Sequence, residues 1–442
     1  MAGDSETRLD DVRDLDFRID QVGEPALPSP VRDADFADPN ARVVLCQDAD
    51  EVERCVREGG PLLAFEKAGP RERIYHDPAW VRAAIVTCGG LCPGINDVIR
   101  SLVNTLYFDY GVDNVLGIRY GYRGLIPSFG LEPIVLDPEV VDLIHENGGS
   151  VLGSSRGNQD IEEMVRTLDR LRINLLFTVG GDGTQRGAHE IALAARRRNL
   201  PLSVIGIPKT IDNDFSFMDR SFGFETAVYA AVSVISSAHA EAKGAHNGIG
   251  LVKLMGRESG FIAAAATLAN SVVNFCFIPE VPFLLDGEHG FLPALERRLA
   301  RSNHHAVIVV AEGAGQELLE GERGRDASGN VLFADIGTFL RDRIAAHLRE
   351  RRIDYAIKYI DPSYLIRSVP AHGTDAIFCL QLGVNAVHAA MAGKTDLVVG
   401  HWGGHFTHVP MALAVHERRK VNPKGQLWQN VLSATQQRRY FA

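Results

Sequence analysis

The feature that most restricts this chain is a repeated form: short apolar, β-branched runs end in glycine-rich turns and give way to helix-length amphipathic stretches. "AAIVTCGG" leads into "INDVIRSLVNTLYF", and "INLLFTVGGDGT" leads into "GAHEIALAARRRN", while "NVLGIRYG" and "LSVIGIPKT" add further strand-like runs. A second set follows with "IGLVKLMG", "SGFIAAAATLA", "NFCFIPE", a helical stretch around "ALERRLARSN", and "HAVIVVAEGAG". Strand, glycine turn and helix in alternation are the mark of βαβ units and parallel sheets. Two such sets predict an α/β protein of two doubly wound, Rossmann-like lobes with mainly parallel sheets. A crevice between the lobes would gather the C-terminal strand ends, where folds of this class place ligands.

The chain has 442 residues, more than one core usually organises, which agrees with two lobes. Its formal net charge of -10 argues against a nucleic-acid partner, because phosphate backbones are met by basic stripes. Basic runs such as "ARRRN" and "HLRERR" read as solvated helix faces. Six scattered cysteines suggest a reducing compartment and no disulfide framework. No apolar core follows a basic start, and no uncharged apolar run approaches the roughly 20 residues of a spanning helix. The expectation is a cytoplasmic protein with no membrane partner. Residues 1 to about 40 are acidic, poor in apolar residues and carry Pro25, Pro28 and Pro30, as a mobile or surface-hugging extension would.

Several turns hold more polarity than a turn needs. "VIGIPKTIDNDF" delivers Lys209, Asp212 and Asp214 just after an apolar run. A surface turn would also be polar, so this stretch alone leaves both readings open. "GGLCPGIND" puts Gly89, Gly90 and Gly94 before a helix, where backbone N–H groups could hold an anion, although a plain strand-to-helix turn fits as well. It is no Walker A loop, because Ile95 and Asn96 stand where Lys and Ser or Thr are required. "VGGDGTQRG" surrounds Asp182 with Gly180, Gly181 and Gly183 before Thr184, a setting for phosphate and Mg2+ or simply for a helix cap. "LMGRESGF" adds Arg257 and Glu258, "AEG" adds Glu312, and "YIDPSYLIR" adds Tyr364 and Arg367. Arginine forks suit a phosphate or carboxylate, and a glutamate suits sugar hydroxyls. Cys88 and Cys92 flank glycines without a second pair and do not read as a zinc site. In "GHWGGHFTH", His401, His405 and His408 read as loop residues, since Gly403 and Gly404 oppose the helix that would align them.

In order, "GGLCPGIN", "LGSSRG", "GGDGT", "PKTIDND", "LMGRESG" and "KYIDPSYLIR" resemble the motifs of the 6-phosphofructokinases, over about residues 65 to 410. "KAGPRERIY" and "KYIDPSY", with the acidic extension, resemble the long ATP-dependent branch of plants, trypanosomatids and some bacteria. The resemblance implies transfer of the γ-phosphoryl of ATP to the 1-hydroxyl of fructose 6-phosphate, with Mg2+. It implies that Asp212 is the base, that Asp214 supports it and the metal region, and that Thr210 helps orient the accepting sugar. Asp182 would place the metal, and Gly90, Arg156, Gly157, Gly181, Asp182, Gly183 and Thr184 would hold the nucleotide, with Tyr120 near the nucleoside. Thr210, Ile211, Asp212, Met255, Gly256, Arg257, Glu312, Tyr364 and Arg367 would bind fructose 6-phosphate. Lys358 would reach in from a neighbouring subunit of a homo-oligomer, dimer or tetramer.

The division implied is an extension at 1–74, a nucleotide-binding lobe at 75–224 to which 366–416 return, and a fructose 6-phosphate-binding lobe at 225–365 with the tail 417–442. Two positions depart from the short bacterial members. Gly248 stands where they have an arginine from the adjacent subunit, and Lys209 stands where they have glycine. Lysine there is also found in users of pyrophosphate, which typically carry aspartate at the position of Gly183. Glycine at 183 leaves room for an α-phosphate, so the pair favours ATP, with a diphosphate-dependent phosphotransferase as the alternative. A lipid or NAD kinase would share "GGDGT" without "PKTIDND" and "MGRESG"; a regulatory subunit would lack the base; a sugar-phosphate binding protein would not need "GGDGT".

Overall fold

All six residues of Leu175–Gly180 and all six of Ser203–Pro208 are buried, which requires cover on both faces of the sheet they form. In the computed structural model, residues 12, 15–60, 62–301, 304–319, 321, 324–325, 331–439 and 441 are described. In chain order the strands of its two main sheets are β1 (Arg42–Val44), β2 (Ala64–Lys67), β3 (Ala83–Thr87), β4 (Val115–Ile118), β5 (Ile134–Leu136), β6 (Leu175–Gly180), β7 (Ser203–Pro208), β8 (Gly248–Leu254), β9 (Phe275–Phe277), β10 (His305–Ala311), β11 (Ala356–Ile360), β12 (Leu397–Trp402) and β13 (His405–Pro410).

The larger sheet has nine strands in the order β1-β2-β13-β12-β7-β6-β3-β4-β5. Its centre, β12 to β4, is parallel, and β1, β2, β13 and β5 are antiparallel additions at the edges. The second sheet, β9-β10-β8-β11, is parallel throughout. From β3 the chain moves outward to β4 and then returns past β3 to β6 and β7, so the strand order reverses between β3 and β6. Such a reversal opens a crevice at the C-terminal strand ends.

Register sets the tips level. Pro208 pairs with Gly180, so Lys209 and Gly181 leave the sheet side by side. Leu254 pairs with Ala311, so Met255 and Glu312 leave the second sheet together. Both sheets share one apolar core: Ile85, Phe177 and Ile205 of the first and Leu251 and Ile308 of the second belong to one cluster, with Ala231 and Ile235 of the helix Phe224–Lys243 and Leu382 and Ala386 of the helix Gly373–Met391.

The strand and helix runs read from sequence are present, with one correction. "GHWGGHFTH", expected as a loop, is a hairpin in which β12 and β13 pair from Leu397↔Pro410 to Trp402↔His405. Gly403 and Gly404, at φ 55° and 80°, form its two-residue turn. Glycines in that region break a helix yet match the twist of a hairpin. Of the acidic N-terminal stretch, residues 1–11 and 13–14 lie outside the described residues. Beyond them, Phe17 packs against Phe65 at 5.3 Å between ring centroids, and Asp20–Gln21 pairs with Lys394–Thr395, so this part hugs the surface.

Candidate active site

The turn after β7 is held in an unusual backbone path. Asn213 sits at φ 55°, a region Asn tolerates because its short side chain bonds locally. Ser221 Oγ donates to the Thr210 carbonyl at 2.8 Å and lies 3.0 Å from Asn213 Oδ1, which pins the path. Thr210 Oγ1 donates to Asp214 Oδ1 at 2.5 Å and accepts from the Asp212 N–H at 3.2 Å. With Thr210 committed to Asp214, Asp212 Oδ1 is buried and has no hydrogen-bond partner. Burial first, and then the charges of Asp214 and Glu312, push the Asp212 carboxyl up to about 7 against the opposing pull of Arg367. Burial also raises Asp214, opposed by Arg418 and the Thr210 bond. A carboxyl buried beside other carboxylates, opposed only by Arg367 and one backbone hydrogen bond from Arg257, holds its proton to near neutrality, which suits proton transfer there.

Beside this turn, Gly181 precedes the helix Asp182–Arg197, and Asp182 faces the crevice from its first turn. Asp182 Oδ2 accepts from Arg418 Nε at 2.7 Å, and Arg418 Nη1 lies 3.5 Å from Asp214 Oδ2. Gly183 is exposed, and a Cβ placed on it would meet nothing within 4 Å. Thr184 is buried, its carbonyl accepting from Tyr122 Oη at 2.7 Å. The turn after β3 is tied to the segment carrying Arg156 and Gly157: Gly89 N–H donates to the Ser155 carbonyl at 3.0 Å, and Ser154 Oγ donates to the Gly89 carbonyl at 2.6 Å. A Cβ on Gly89 would stand 3.5 Å from Lys209 Nζ, and one on Gly90 would stand 3.4 Å from Arg156 Nη2. Two cations thus flank one glycine turn. Lys209 is buried, which pulls its ammonium below the usual lysine range. Tyr120, at φ 55°, lies against Gly153 with Arg119 5.2 Å from its ring centroid.

The second lobe meets this face. Gly256 has φ 122°, and a Cβ there would stand 2.6 Å from the Ser259 carbonyl, so only glycine lets the chain turn after β8. Met255 is buried, with its Sδ accepting from Arg367 Nε at 3.0 Å. Arg257 donates to the Val331 carbonyl and lies 4.5 Å from the Phe333 ring centroid, while its Nε is buried without a partner. Glu312 leaves β10 with its N–H donating to the Leu254 carbonyl at 2.9 Å, and Ser259 Oγ bonds the Asp212 carbonyl at 3.4 Å across the crevice. Ile211 is buried behind the turn. One expected residue, Tyr364, is not gathered here, and neither is Lys358, a residue expected from a neighbouring copy. Tyr364 is 84% exposed on the outer side of the short helix Ser363–Arg367, and Lys358 is exposed in mid-strand opposite Gly250.

Sequence reasoning missed Arg418, which stands in the basic run "HERRK" and carries no local mark that separates it from a solvated face. Only its folded partners reveal it. The histidines of the hairpin do not converge: His401 pairs with Asp219 at 2.6 Å and His408 with Glu66 at 3.1 Å, whereas His405 is exposed. Burial pushes the Cys88 and Cys92 thiols up to about 12. Among the described residues no group of three or more His, Cys, Asp or Glu side chains could hold a metal ion. Asp182 and Asp214, drawn to one guanidinium, instead offer an all-oxygen pair. Mg2+ suits such a pair, because it keeps several waters and completes its shell with one or two carboxylates and substrate phosphates. Among the described residues no helix is long and apolar enough to cross a membrane.

Cationic glycine turns opposite an acidic loop, at the strand tips of two parallel sheets, place the molecule among α/β proteins that handle phosphate groups. The phosphofructokinase family model matches residues 82–390, and the chain belongs to that family. It is 49% identical over 435 residues to the ATP-dependent 6-phosphofructokinase of Borreliella burgdorferi, covering 96% of this chain and 97% of that one. It is 51% identical over 379 residues to the protein of that name from Amycolatopsis methanolica, covering 84% and 82%. The Trypanosoma cruzi protein of that name is 49% identical over 378 residues, covering 85% and 77%. Among solved structures, the pyrophosphate-dependent phosphofructokinase of Marinobacter aquaeolei superposes with a TM-score of 0.65 over 80% of this chain and 91% of its own. At 23% identity that likeness concerns the fold alone.

Proposed function

We propose that this protein is an ATP-dependent 6-phosphofructokinase, transferring the γ-phosphoryl of ATP to the 1-hydroxyl of D-fructose 6-phosphate to give fructose 1,6-bisphosphate and ADP. The observation that carries the reading is the unpartnered, buried Oδ1 of Asp212 at the crevice, in a chain whose relatives bear that name over nearly its whole length.

Asp212 takes the proton of the sugar 1-hydroxyl as its oxygen attacks the γ-phosphorus, and the bond to ADP breaks in line. Thr210 fixes Asp214, and both hold the turn that aims Asp212. The cations at the glycine turn, Lys209 and Arg156, neutralise donor phosphates, while the backbone around Gly90, Gly157, Gly181, Gly183 and Thr184 cradles them. Tyr120 flanks the nucleoside. Asp182 would hold Mg2+, which when bound would supply charge neutralisation on the donor phosphates. On the other lobe Met255, Gly256, Arg257, Glu312 and Arg367 bind fructose 6-phosphate, with Ile211 shaping the floor. The lobes divide as 75–224 with 366–416, joined by β1 and β2, for the nucleotide and 225–365 with 417–442 for the sugar phosphate.

A homo-oligomer completes this site. Lys358 and Tyr364, exposed and away from the crevice, are then available to a neighbouring copy. A Cβ on Gly248 would stand 2.0 Å from the Ala242 carbonyl, so no side chain fits there, and Lys358 on the adjoining strand is the nearby cation that serves instead. The open space at Gly183 admits an α-phosphate and favours ATP. Lys209, a residue also found in users of pyrophosphate, carries the second reading, in which pyrophosphate is the donor.

Asp212→Ser is the test. Fructose 6-phosphate should still bind, while kcat drops by about 10²- to 10⁴-fold, the range that general base catalysis contributes. Near-normal turnover would remove Asp212 as the base.

A further inference from the structure

Arg418 reaches the crevice on a segment tethered at several points. The Val415 carbonyl accepts from Arg186 Nη2 at 3.1 Å, and the Glu417 carbonyl accepts from Ser216 Oγ at 2.5 Å. Arg418 forms an antiparallel bridge with Phe215, Arg419 N–H donates to the Asp214 carbonyl at 2.9 Å, and Val421 N–H donates to Glu280 Oε1 at 2.8 Å. The backbone is therefore fixed against the acidic turn. The side chain, 29% exposed, spans two carboxylates with its Nε on Asp182 and Nη1 near Asp214. Each contact takes one oxygen of a carboxylate, and carboxylate oxygens are the ligands a hard divalent cation takes as well.

We propose that Arg418 is a positioning residue that occupies the Asp182–Asp214 pair in the unloaded protein and excludes a free divalent cation. The inference rests on the phosphoryl-transfer reading of this site. A guanidinium between the two carboxylates offsets one of their two negative charges, easing their mutual repulsion, and it meets any approaching dication with like charge. Phosphate oxygens change the balance, since they bring negative charge for both the guanidinium and the metal. The metal then enters with its phosphate donor and is held poorly without one. Arg418 in this way couples the arrival of the two.

Free Mn2+ titrated into the nucleotide-free, full-length protein, followed by calorimetry and by the loss of its free-ion electron resonance signal, measures this directly. Wild type should bind weakly at this site, and Arg418→Gln should bind about tenfold more tightly. Arg418→Lys, which keeps the charge but reaches one carboxylate at a time, should fall between them. Adding Asp182→Asn to Arg418→Gln should abolish the gain. A residue that merely braces the turn gives the opposite sign, because its loss scatters the carboxylates. Unchanged or weaker Mn2+ binding in Arg418→Gln overturns the proposal. If that variant fails to fold, Arg418→Lys decides alone, and affinity no higher than wild type overturns it. A wild-type protein that fails to turn over ATP and fructose 6-phosphate would instead remove the function reading, and the Mn2+ comparison would still stand.

Discussion

Asp212 shows how far a motif carries and where it stops. Its position in "TIDND", after an apolar run and a proline, identifies it as a polar group at a strand tip. Its chemistry depends on what the rest of the chain withholds: Thr210 is spent on Asp214, and Glu312 and Arg367 arrive from remote segments. None of that is visible locally, and neither is Arg418, whose neighbours in sequence are also basic. The raised carboxyl gives a signed expectation. Below about pH 7 Asp212 is protonated and cannot accept the sugar proton, so kcat/KM for fructose 6-phosphate should fall about tenfold per pH unit on the acid side and level off above. An acid limb centred near the ordinary carboxylate range of about 4 would contradict the environment described for this residue.

At the scale of elements, local periodicity made the central strands and their helices legible, because alternation of short apolar runs with amphipathic ones is written in consecutive residues. The hairpin at 397–410 was not, since its two glycines signal a break without saying what lies on either side. The C-terminal segment was equally hidden, because its anchors are distant in sequence. One of them is Glu280, whose carboxylate accepts from Gly260 N–H at 2.9 Å, before the helix Phe261–Ala269, and from Val421 N–H at 2.8 Å. An acidic group there also meets the positive end of that helix. Glu280→Ala strips both N–H groups of their acceptor and should cost about 1–3 kcal/mol, read as a lower denaturation midpoint in urea. A midpoint within error of wild type would mean that this carboxylate does not hold the segment.

At the scale of the molecule, two sets of βαβ runs announce two lobes, and their strand ends do face one another. The sequence did not reveal that β1 and β2 from the N-terminal stretch extend the first sheet, or that one apolar core runs through both sheets. Those are long-range pairings, set by which edges remain open after the parallel centre has formed. The shared core explains why the turns carrying Asp212 after one sheet and Glu312 after the other meet at one crevice. It also makes the donor question one for the intact protein. Purified wild type assayed with fructose 6-phosphate against ATP and against pyrophosphate is the most direct measurement. Fructose 1,6-bisphosphate should form with one ADP per turnover, and kcat/KM for pyrophosphate should be lower by about tenfold or more, the scale on which one excluded or misplaced group discriminates. A preference for pyrophosphate, or no product with either donor, would contradict the account.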